Sequence, residues 1–206
     1  MSLESAKVHN IRRAHYKISV LEDYFHGSYG AQKNTMSVVL DNGTPFFINH
    51  PLRPCPQGGA SAFPFDTASA PSYFGGYNTA PAAVAEDDTV LMIYRLPWHR
   101  GAFAPCRAIY YTHAYFDTAR YDEVMPQGNR LFARAGESFI AVIGRNELEL
   151  SSPDLIQKGR RTYWITVLSD TVKESFEDFR KRVGAIPVSF DGKELEFGGK
   201  KLKWKE

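Results

Sequence analysis

The sequence predicts an all-β fold, a large antiparallel β-sandwich with one helix near the C-terminus. Short runs of β-branched and aromatic residues alternate with turn signals along most of the chain, which is the pattern of a sandwich. Only the segment after residue 170 repeats its apolar side chains at helical spacing. The chain has 206 residues, 43% hydrophobic and 23% charged, which is enough to bury one large core.

The clearest hairpin signal lies in the first quarter of the chain. Residues 35–40 and 44–49 are predicted strands, and Asp41-Asn42-Gly43 between them suits the positive φ angles of a tight turn. Residues 88–96 form another predicted strand. Strict alternation puts two sets of side chains on its opposite faces: Val90, Met92 and Tyr94 on one, Leu91, Ile93 and Arg95 on the other.

The second half of the chain carries the remaining strand signals. Residues 130–135 and 138–144 form a hairpin about Gly136, and 148–150 and 161–168 are expected to continue that sheet. Two terminal hairpins turn at Asp191-Gly192 and Gly198-Gly199, with strands at 187–190, 194–197 and 201–204. The lysines of the last strand are typical of a protected sheet edge.

One helix is predicted between the sheet strands and the terminal hairpins. Thr171-Val172-Lys173-Glu174 has the form of a capping box, in which threonine and glutamate satisfy each other's end amides. An apolar stripe follows at helical spacing, and Gly184 is the predicted C-terminal stop. The stripe consists of Val172, Phe176, Phe179 and Val183.

The predicted domain organisation is simple. Residues 1–15 are interpreted as a leader and N-terminal extension, with Met1-Ser2-Leu3 resembling an expression leader, and residues 16–206 as the sandwich domain. Residues 50–87 are rich in proline, alanine, glycine and aromatic residues. They are interpreted as one long loop over a sandwich face, because connections of this length tend to be functional.

Charge and composition exclude several function classes. The net charge of +2, from 25 basic and 23 acidic residues, is too balanced for a nucleic-acid footprint. No apolar run approaches the ~20 residues of a membrane span. The first ten residues lack a signal peptide's apolar segment, but because Met1-Ser2-Leu3 resembles an expression leader, the parent protein is left open as secreted, periplasmic or cytoplasmic. Cys55 and Cys106 are too few for a disulfide scaffold and are interpreted as free thiols in a reducing compartment, although they would pair if their loops met.

The most informative stretch for function is 110–116, Tyr-Tyr-Thr-His-Ala-Tyr-Phe. It places His113 between Tyr111 and Tyr115, an unusual composition for a buried strand. The structural interpretation is a histidine satisfied by backbone groups at a strand edge. The functional interpretation is a ligand-facing imidazole beside rings that stack on sugars. His50, after strand 44–49, would approach His113 if the two strand ends lie side by side, and tyrosine and histidine together can serve as base and acid.

Other candidate groups carry weaker signals. Tyr29 and Gln32, in the polar aromatic turn 23–32, are candidates for ligand hydrogen bonds or for loop caps. Tyr73 and Phe74 offer stacking rings in the long loop. The six histidines show no metal-ligand spacing, and the acidic residues Asp117, Asp122 and Glu123 are better explained as a solvated turn, so no metal or other cofactor is predicted. No nucleophile elbow or phosphate loop is present in the sequence.

The order of these motifs resembles the C-terminal β-sandwich region of heparinase II/III-like proteins, which are related to polysaccharide lyases. The resemblance extends over residues 18–184, and no single motif in it is diagnostic. It is carried by Asp23-Tyr24, the Gly27–Gln32 turn, Asn49-His50-Pro51, Gly75-Gly76 to Pro81, the Thr112–Phe116 segment, Tyr121-Asp122-Glu123 and the Phe132–Gly136 hairpin. Where the family tends to have a tryptophan in the glycine-rich loop, this chain has Tyr73-Phe74.

The resemblance implies a large, supersandwich-like β-sandwich that helps to close the substrate cleft of a polysaccharide lyase-like enzyme. The implied reaction is β-elimination at a uronic acid, with His113 and Tyr115 as catalytic candidates. The implied substrate-binding residues are His50, Tyr29, Gln32, Tyr73, Phe74 and Tyr111. Such proteins normally carry an N-terminal α/α toroid, which this chain lacks. The implied partners are therefore the toroid and a polysaccharide or oligosaccharide, and this chain alone would have at most a supporting role.

Two alternatives stay open at this point. The first is a non-catalytic carbohydrate-binding or structural sandwich, and the second a cupin-type sandwich that binds a small molecule or a metal. If the domain was cut from a larger partner, it should expose an apolar patch, which predicts a homo-oligomer in isolation.

Overall fold

The computed structural model describes residues 7–22, 35–50, 80–96 and 111–205, together with the backbone of 53–54 and 60–61. One α-helix, α1 (Phe176–Ala185), and one 3₁₀ turn at Thr118–Arg120 lie within these residues. The strands are β1 (Lys7–Arg12), β2 (Tyr16–Glu22), β3 (Met36–Leu40), β4 (Pro45–Asn49), β5 (Arg53–Pro54), β6 (Ala60–Ser61), β7 (Ala82–Glu86), β8 (Thr89–Arg95), β9 (Tyr111–Tyr115), β10 (Glu123–Gln127), β11 (Arg130–Ala135), β12 (Ser138–Gly144), β13 (Leu148–Ser151), β14 (Asp154–Lys158), β15 (Arg161–Asp170), β16 (Val188–Phe190), β17 (Glu194–Phe197) and β18 (Lys200–Lys203).

Two large antiparallel sheets form the sandwich. The seven-stranded sheet has the order β1-β2-β3-β4-β9-β14-β13, and the six-stranded sheet the order β10-β11-β12-β15-β8-β7. Strands β16–β18 form a third sheet, and β5 pairs with β6. The predicted all-β, sandwich-like fold with one helix near the C-terminus is therefore confirmed.

The main core lies between the two large sheets. Strand β8 shows how alternation builds it, because Val90, Met92 and Tyr94 enter this core while Leu91 and Ile93 pack on the opposite face. The faces predicted for this strand are thus correct. A buried hydrogen bond from the indole N–H of Trp164 to Thr112 Oγ1, 2.6 Å long, also joins the two sheets.

The outer face of the six-stranded sheet is covered by the C-terminal elements. Phe179 and Val183 of α1 pack there, in one cluster with β17 and β18 residues such as Leu195 and Leu202. The Arg130 guanidinium donates to the carbonyls of Val183, Gly184 and Ile186 at the end of the helix, at 2.8 to 3.2 Å. The helix and the third sheet together bury the apolar outer surface of this sheet.

The predicted start of the helix is wrong. The helix is capped by Ser175, whose hydroxyl accepts from the Asp178 N–H at 3.1 Å. Thr171 instead precedes the helix in a turn in which the Lys173 N–H bonds to the Asp170 carbonyl and carboxylate, and Val172 is 74% exposed. The competing turn at Asp170 explains the difference. The helix also continues through Gly184, one residue past its predicted stop.

Other strand boundaries also differ from the expectation. The seven-stranded sheet begins with β1 at Lys7, upstream of residue 16, where the predicted domain starts. Within 50–87, interpreted as one loop, β7 pairs along β8, and β5 pairs with β6. Strand β13 belongs to the seven-stranded sheet and does not continue the β11–β12 sheet, because it pairs with β14, which pairs with β9.

Large apolar side chains are exposed at three separate positions of the described chain, Val8, Val39 and Val172. Self-association through an apolar patch stays a prediction. Among the described residues, no helix combines the length and apolar character that a membrane crossing requires.

Candidate functional site

The candidate site is a row of polar and aromatic side chains on the outer face of the seven-stranded sheet. Strand β9 lies between β4 and β14, with Asn49 opposite His113 on one side and Asp154 opposite Tyr115 on the other. The interpretation of His113 as a strand-edge histidine satisfied by backbone groups is therefore wrong. Alternation turns Thr112 and Ala114 toward the core and places Tyr111, His113 and Tyr115 on the outer face.

His113 is held by two oxygen-bearing side chains and is only 1% exposed. Its Nε2 lies 2.6 Å from Asp154 Oδ1, and its Nδ1 lies 3.1 Å from Asn49 Oδ1. The carboxylate requires a proton on Nε2, so the Nε2–H donates to Asp154. A protonated Nδ1 would donate to the Asn49 oxygen, whereas a neutral ring accepts from Asn49 once its amide is turned. In either form, both nitrogens engage side chains, which fixes the orientation of the ring.

The two rings next to this network stack on each other. Phe47 of β4 and Tyr115 of β9 lie directly opposite in the register, with ring centroids 5.3 Å apart and an angle of 5° between their planes. Both are almost completely buried, with 4% and 8% of their surface exposed. This pair is a small apolar cluster separate from the main core. The predicted role of Tyr115 as a ring open to a sugar receives no support from this burial.

Tyr111 lies at the more accessible end of the row. It is half-buried and pairs in the register with Lys158, whose side chain is 69% exposed and forms a 2.6 Å ion pair with Glu149. Burial, and to a smaller extent the negative charge of Asp154, raises the pKa of Tyr111 to about 12. The phenol is protonated at neutral pH, as an unperturbed tyrosine would be, and Lys158 lies opposite Tyr111 in the strand register.

The sequence-predicted residues are only partly brought together. His50 is 2% exposed and follows Asn49, so the residue directly opposite His113 is Asn49 and not His50. Tyr29, Gln32, Tyr73 and Phe74 lie outside the described residues, as do Cys55 and Cys106. The catalytic role predicted for His113 and Tyr115 stays a prediction.

Two members of the site were missed in the sequence. Asn49 was seen only as part of the Asn-His-Pro exit of its strand, and Asp154 lies 41 residues from His113, on a strand that was not predicted. A buried histidine needs a partner for each ring nitrogen, which is a signal that partners exist. This requirement does not identify the side chains, here Asn49 and Asp154, that act as the partners.

The acidic stretch at 117–123 is explained by local structure. Asp117 caps the 3₁₀ turn by accepting from the Ala119 N–H at 3.2 Å, and Asp122 accepts from the Gly136 N–H at 2.8 Å. Within the described part of the chain, no group of three or more histidine, cysteine or acidic side chains is placed to hold a metal ion.

Comparisons of the chain with protein-family models, with curated proteins and with solved structures found no match.

Proposed function

We propose that this chain is a carbohydrate-binding β-sandwich domain that acts beside the catalytic domain of a polysaccharide lyase-like enzyme and helps to form its substrate cleft. The observation that carries the proposal is the outer face of the seven-stranded sheet around Tyr111. There the half-buried ring of Tyr111 lies opposite Lys158 in the strand register, at the end of a row ordered by His113 and Asp154.

The chemistry of this row suits a sugar better than a purely apolar ligand. An aromatic face packs on the C–H groups of a pyranose, while its hydroxyl and nearby charged groups bond the sugar's hydroxyls. Lys158 adds a positive charge for a uronic acid, although Glu149 pairs with it, whereas the Asp154 carboxylate favours neutral hydroxyls. The proposal therefore includes acidic and neutral glycans, which the experiment separates.

His113 receives a positioning role in this proposal. A general acid or base has to touch its substrate, and a ring that is 1% exposed with both nitrogens engaged does not meet that condition. The imidazole instead fixes Asp154 across the sheet. Elimination chemistry would then depend on the toroid domain that heparinase II/III-like proteins carry.

The test is binding of the chain to a panel of acidic and neutral oligosaccharides by isothermal titration calorimetry. Tyr111→Ala should weaken binding about tenfold, or about 1.4 kcal/mol, because the stacking ring and its hydroxyl are lost. Val39→Ala is the matched control, since Val39 lies 47% exposed on β3 of the same sheet. It should leave binding unchanged.

Two outcomes would overturn the proposal. Either no glycan of the panel binds, or Tyr111→Ala and Val39→Ala bind as tightly as the unmodified chain. Formation of the unsaturated sugar product, followed by ultraviolet absorbance, tests catalysis separately. Turnover by this chain alone would contradict the assignment of the chemistry to a partner domain.

A purely structural sandwich is the second candidate function. It is favoured by the burial of His113 and of the Phe47–Tyr115 pair, which makes most of the row resemble a minor core. In that case Asp154→Asn should lower thermal stability while no glycan binds at any concentration tested.

A further inference from the structure

A polar cleft of about 460 Å³ opens at one end of the six-stranded sheet, away from the Tyr111 row. Five pieces of the chain meet there: the β7–β8 turn, the end of β15, the segment before α1, α1 itself and β18. The charged side chains that line the cleft are Asp87, Asp88, Lys173, Glu174, Arg182 and Lys200. A volume of this size lies within the range of small-molecule sites.

Two of the three carboxylates that line this cleft, Asp88 and Glu174, accept bonds on both of their oxygens. Asp88 accepts from the Arg13 guanidinium at 2.9 Å and from Lys173. Glu174 accepts from the Ser169 hydroxyl at 2.6 Å and from two nitrogens of Arg182 at 2.6 and 3.0 Å. These bonds hold both carboxylates against the cleft wall.

The cations keep donors beyond these bonds. Lys173 has three N–H groups and uses two, on Asp88 and on the Tyr16 hydroxyl at 3.2 Å. The paired contact of Arg182 with Glu174 uses Nε and Nη2 and leaves the donors of Nη1. The Lys200 ammonium lies 3.0 Å from Asp87 Oδ2, with its side chain 18% exposed. Lys173 and Arg182 thus keep N–H donors for a ligand, while Asp87, whose side chain is 75% exposed, keeps acceptor capacity beside Lys200.

Anchored cations with spare donors are suited to an oxyanion. The ion pairs fix Lys173 and Arg182 before a ligand arrives, so little side-chain entropy is lost when it binds. Arg182 can present its outer N–H groups to two oxygens, a geometry that carboxylate, sulfate and phosphate groups share.

We propose that this cleft binds an anionic group, a carboxylate, sulfate or phosphate, of a small polar ligand through Lys173, Arg182 and Lys200. The site is independent of the glycan-binding face proposed above. A sugar acid would present such a group as a carboxylate, and a sulfated or phosphorylated ligand as an ester.

The test is an NMR titration of the ¹⁵N-labelled chain with sodium glucuronate, sodium sulfate and sodium phosphate, at an ionic strength held constant with sodium chloride. Saturable shifts should appear in the amides of Thr89, Ser169 and Lys200 for at least one anion. Glucuronate binding would identify a sugar acid as the ligand class, and sulfate or phosphate binding an ester group or a free anion.

Variants make the assignment specific. Arg182→Gln and Lys173→Met should each weaken binding about tenfold, and two variants are used because each also removes a different ion pair, that of Glu174 or that of Asp88. Lys181→Met is the matched control, since this lysine lies on the same helix, is 70% exposed and pairs with Glu177 at 3.4 Å. Every variant must keep the dispersed spectrum of the folded chain.

The proposal is overturned if none of the three anions gives saturable shifts, or if Lys181→Met weakens binding as much as the two cleft variants. If Tyr111→Ala loses glycan binding but binds the anions normally, the result bears on the glycan-binding face and leaves the cleft proposal unaffected. The two proposals can therefore fail separately.

Discussion

Replacing Glu22 with glutamine tests a contact that joins the two large sheets at the edge strand β7. Glu22 ends β2 of the seven-stranded sheet, and its carboxylate accepts a 3.0 Å bond from the Ala85 N–H of β7, the edge strand of the other sheet. The same carboxylate lies 2.8 Å from Lys7 Nζ and 3.2 Å from His9 Nδ1 on β1. One side chain that is 8% exposed thus joins β1, β2 and β7.

The magnitude follows from these three contacts. A bond to a charged acceptor contributes about 1.5–3 kcal/mol and a neutral one about 0.5–1.5, so the amide of Glu22→Gln keeps part of the Ala85 contact. The Lys7 pair adds less than about 1 kcal/mol, because the lysine is 70% exposed. We expect Glu22→Gln to lower the free energy of unfolding by about 1.5 kcal/mol. That corresponds to about 4 °C in Tm for a domain of this size.

The pH dependence has a definite sign. Burial alone would raise the pKa of Glu22, but the bonds from Ala85, Lys7 and His9 outweigh it and hold the pKa below its usual value of 4.5. Its contribution to stability is therefore complete above pH 4.5 and is lost as the pH falls through the lower pKa of the folded state. The difference in free energy of unfolding between the unmodified chain and Glu22→Gln should therefore shrink as the pH falls below 4.5.

The assay is urea unfolding followed by circular dichroism, at pH 7 and at steps down to pH 3. Glu149→Gln is the control, because Glu149 forms a 2.6 Å ion pair with Lys158 but is 53% exposed. It should change stability by less than about 0.5 kcal/mol. Equal effects of the two substitutions at pH 7, or a Glu22→Gln difference that grows toward acid, would refute the reasoning.

Two further pairs of substitutions test the turn glycines and the helix cap. Gly136→Ala should lower the free energy of unfolding, measured by urea denaturation, by about 2 kcal/mol. The backbone φ is +58°, and a Cβ at this position would lie 2.7 Å from Asp41 Oδ2. Gly128→Ala, at φ +62° with no atom within 4 Å, should cost only about 1 kcal/mol, and equal losses would contradict the steric argument. Ser175→Ala should lower the free energy of unfolding by about 1 kcal/mol, read by thermal unfolding, and Thr171→Ala by less than half of that. The Thr171 hydroxyl donates to the exposed Glu137 carboxylate and caps no helix, so a larger loss for Thr171→Ala would contradict this ranking of the two residues.

Local signals were sufficient for much of the fold. The alternation of β8 and the hairpins at Gly43 and Gly136 are properties of adjacent residues, and the structure has them as predicted. Strand β14 escaped prediction because its five residues, Asp-Leu-Ile-Gln-Lys, include only one β-branched side chain and no aromatic one. The helix start was missed because Ser175 and Thr171 both suit a cap, and the turn at Asp170 decides between them.

The candidate site was less predictable because its partners are far apart in the chain. The aromatic composition around His113 was recognised, but its buried position depends on two neighbouring strands. Asn49 is 64 residues away from His113 and Asp154 is 41. No local sequence pattern marks contacts between residues so far apart, because the order of strands in a sheet depends on the whole chain. The sequence therefore predicted the residue of interest but not its environment.

The outer faces of the two large sheets differ in a way that bears on function. On the six-stranded sheet the outer side chains are apolar, as at Phe132 and Phe139, and α1 and β16–β18 pack over them as a second core. On the seven-stranded sheet the outer face instead carries the His113–Asp154 bond and the partly accessible Tyr111. A buried histidine–carboxylate pair is weak evidence for added stability, because removing both charges from water offsets much of their attraction. What the pair does supply is a fixed orientation of the row, and this is why the glycan experiment is aimed at that face.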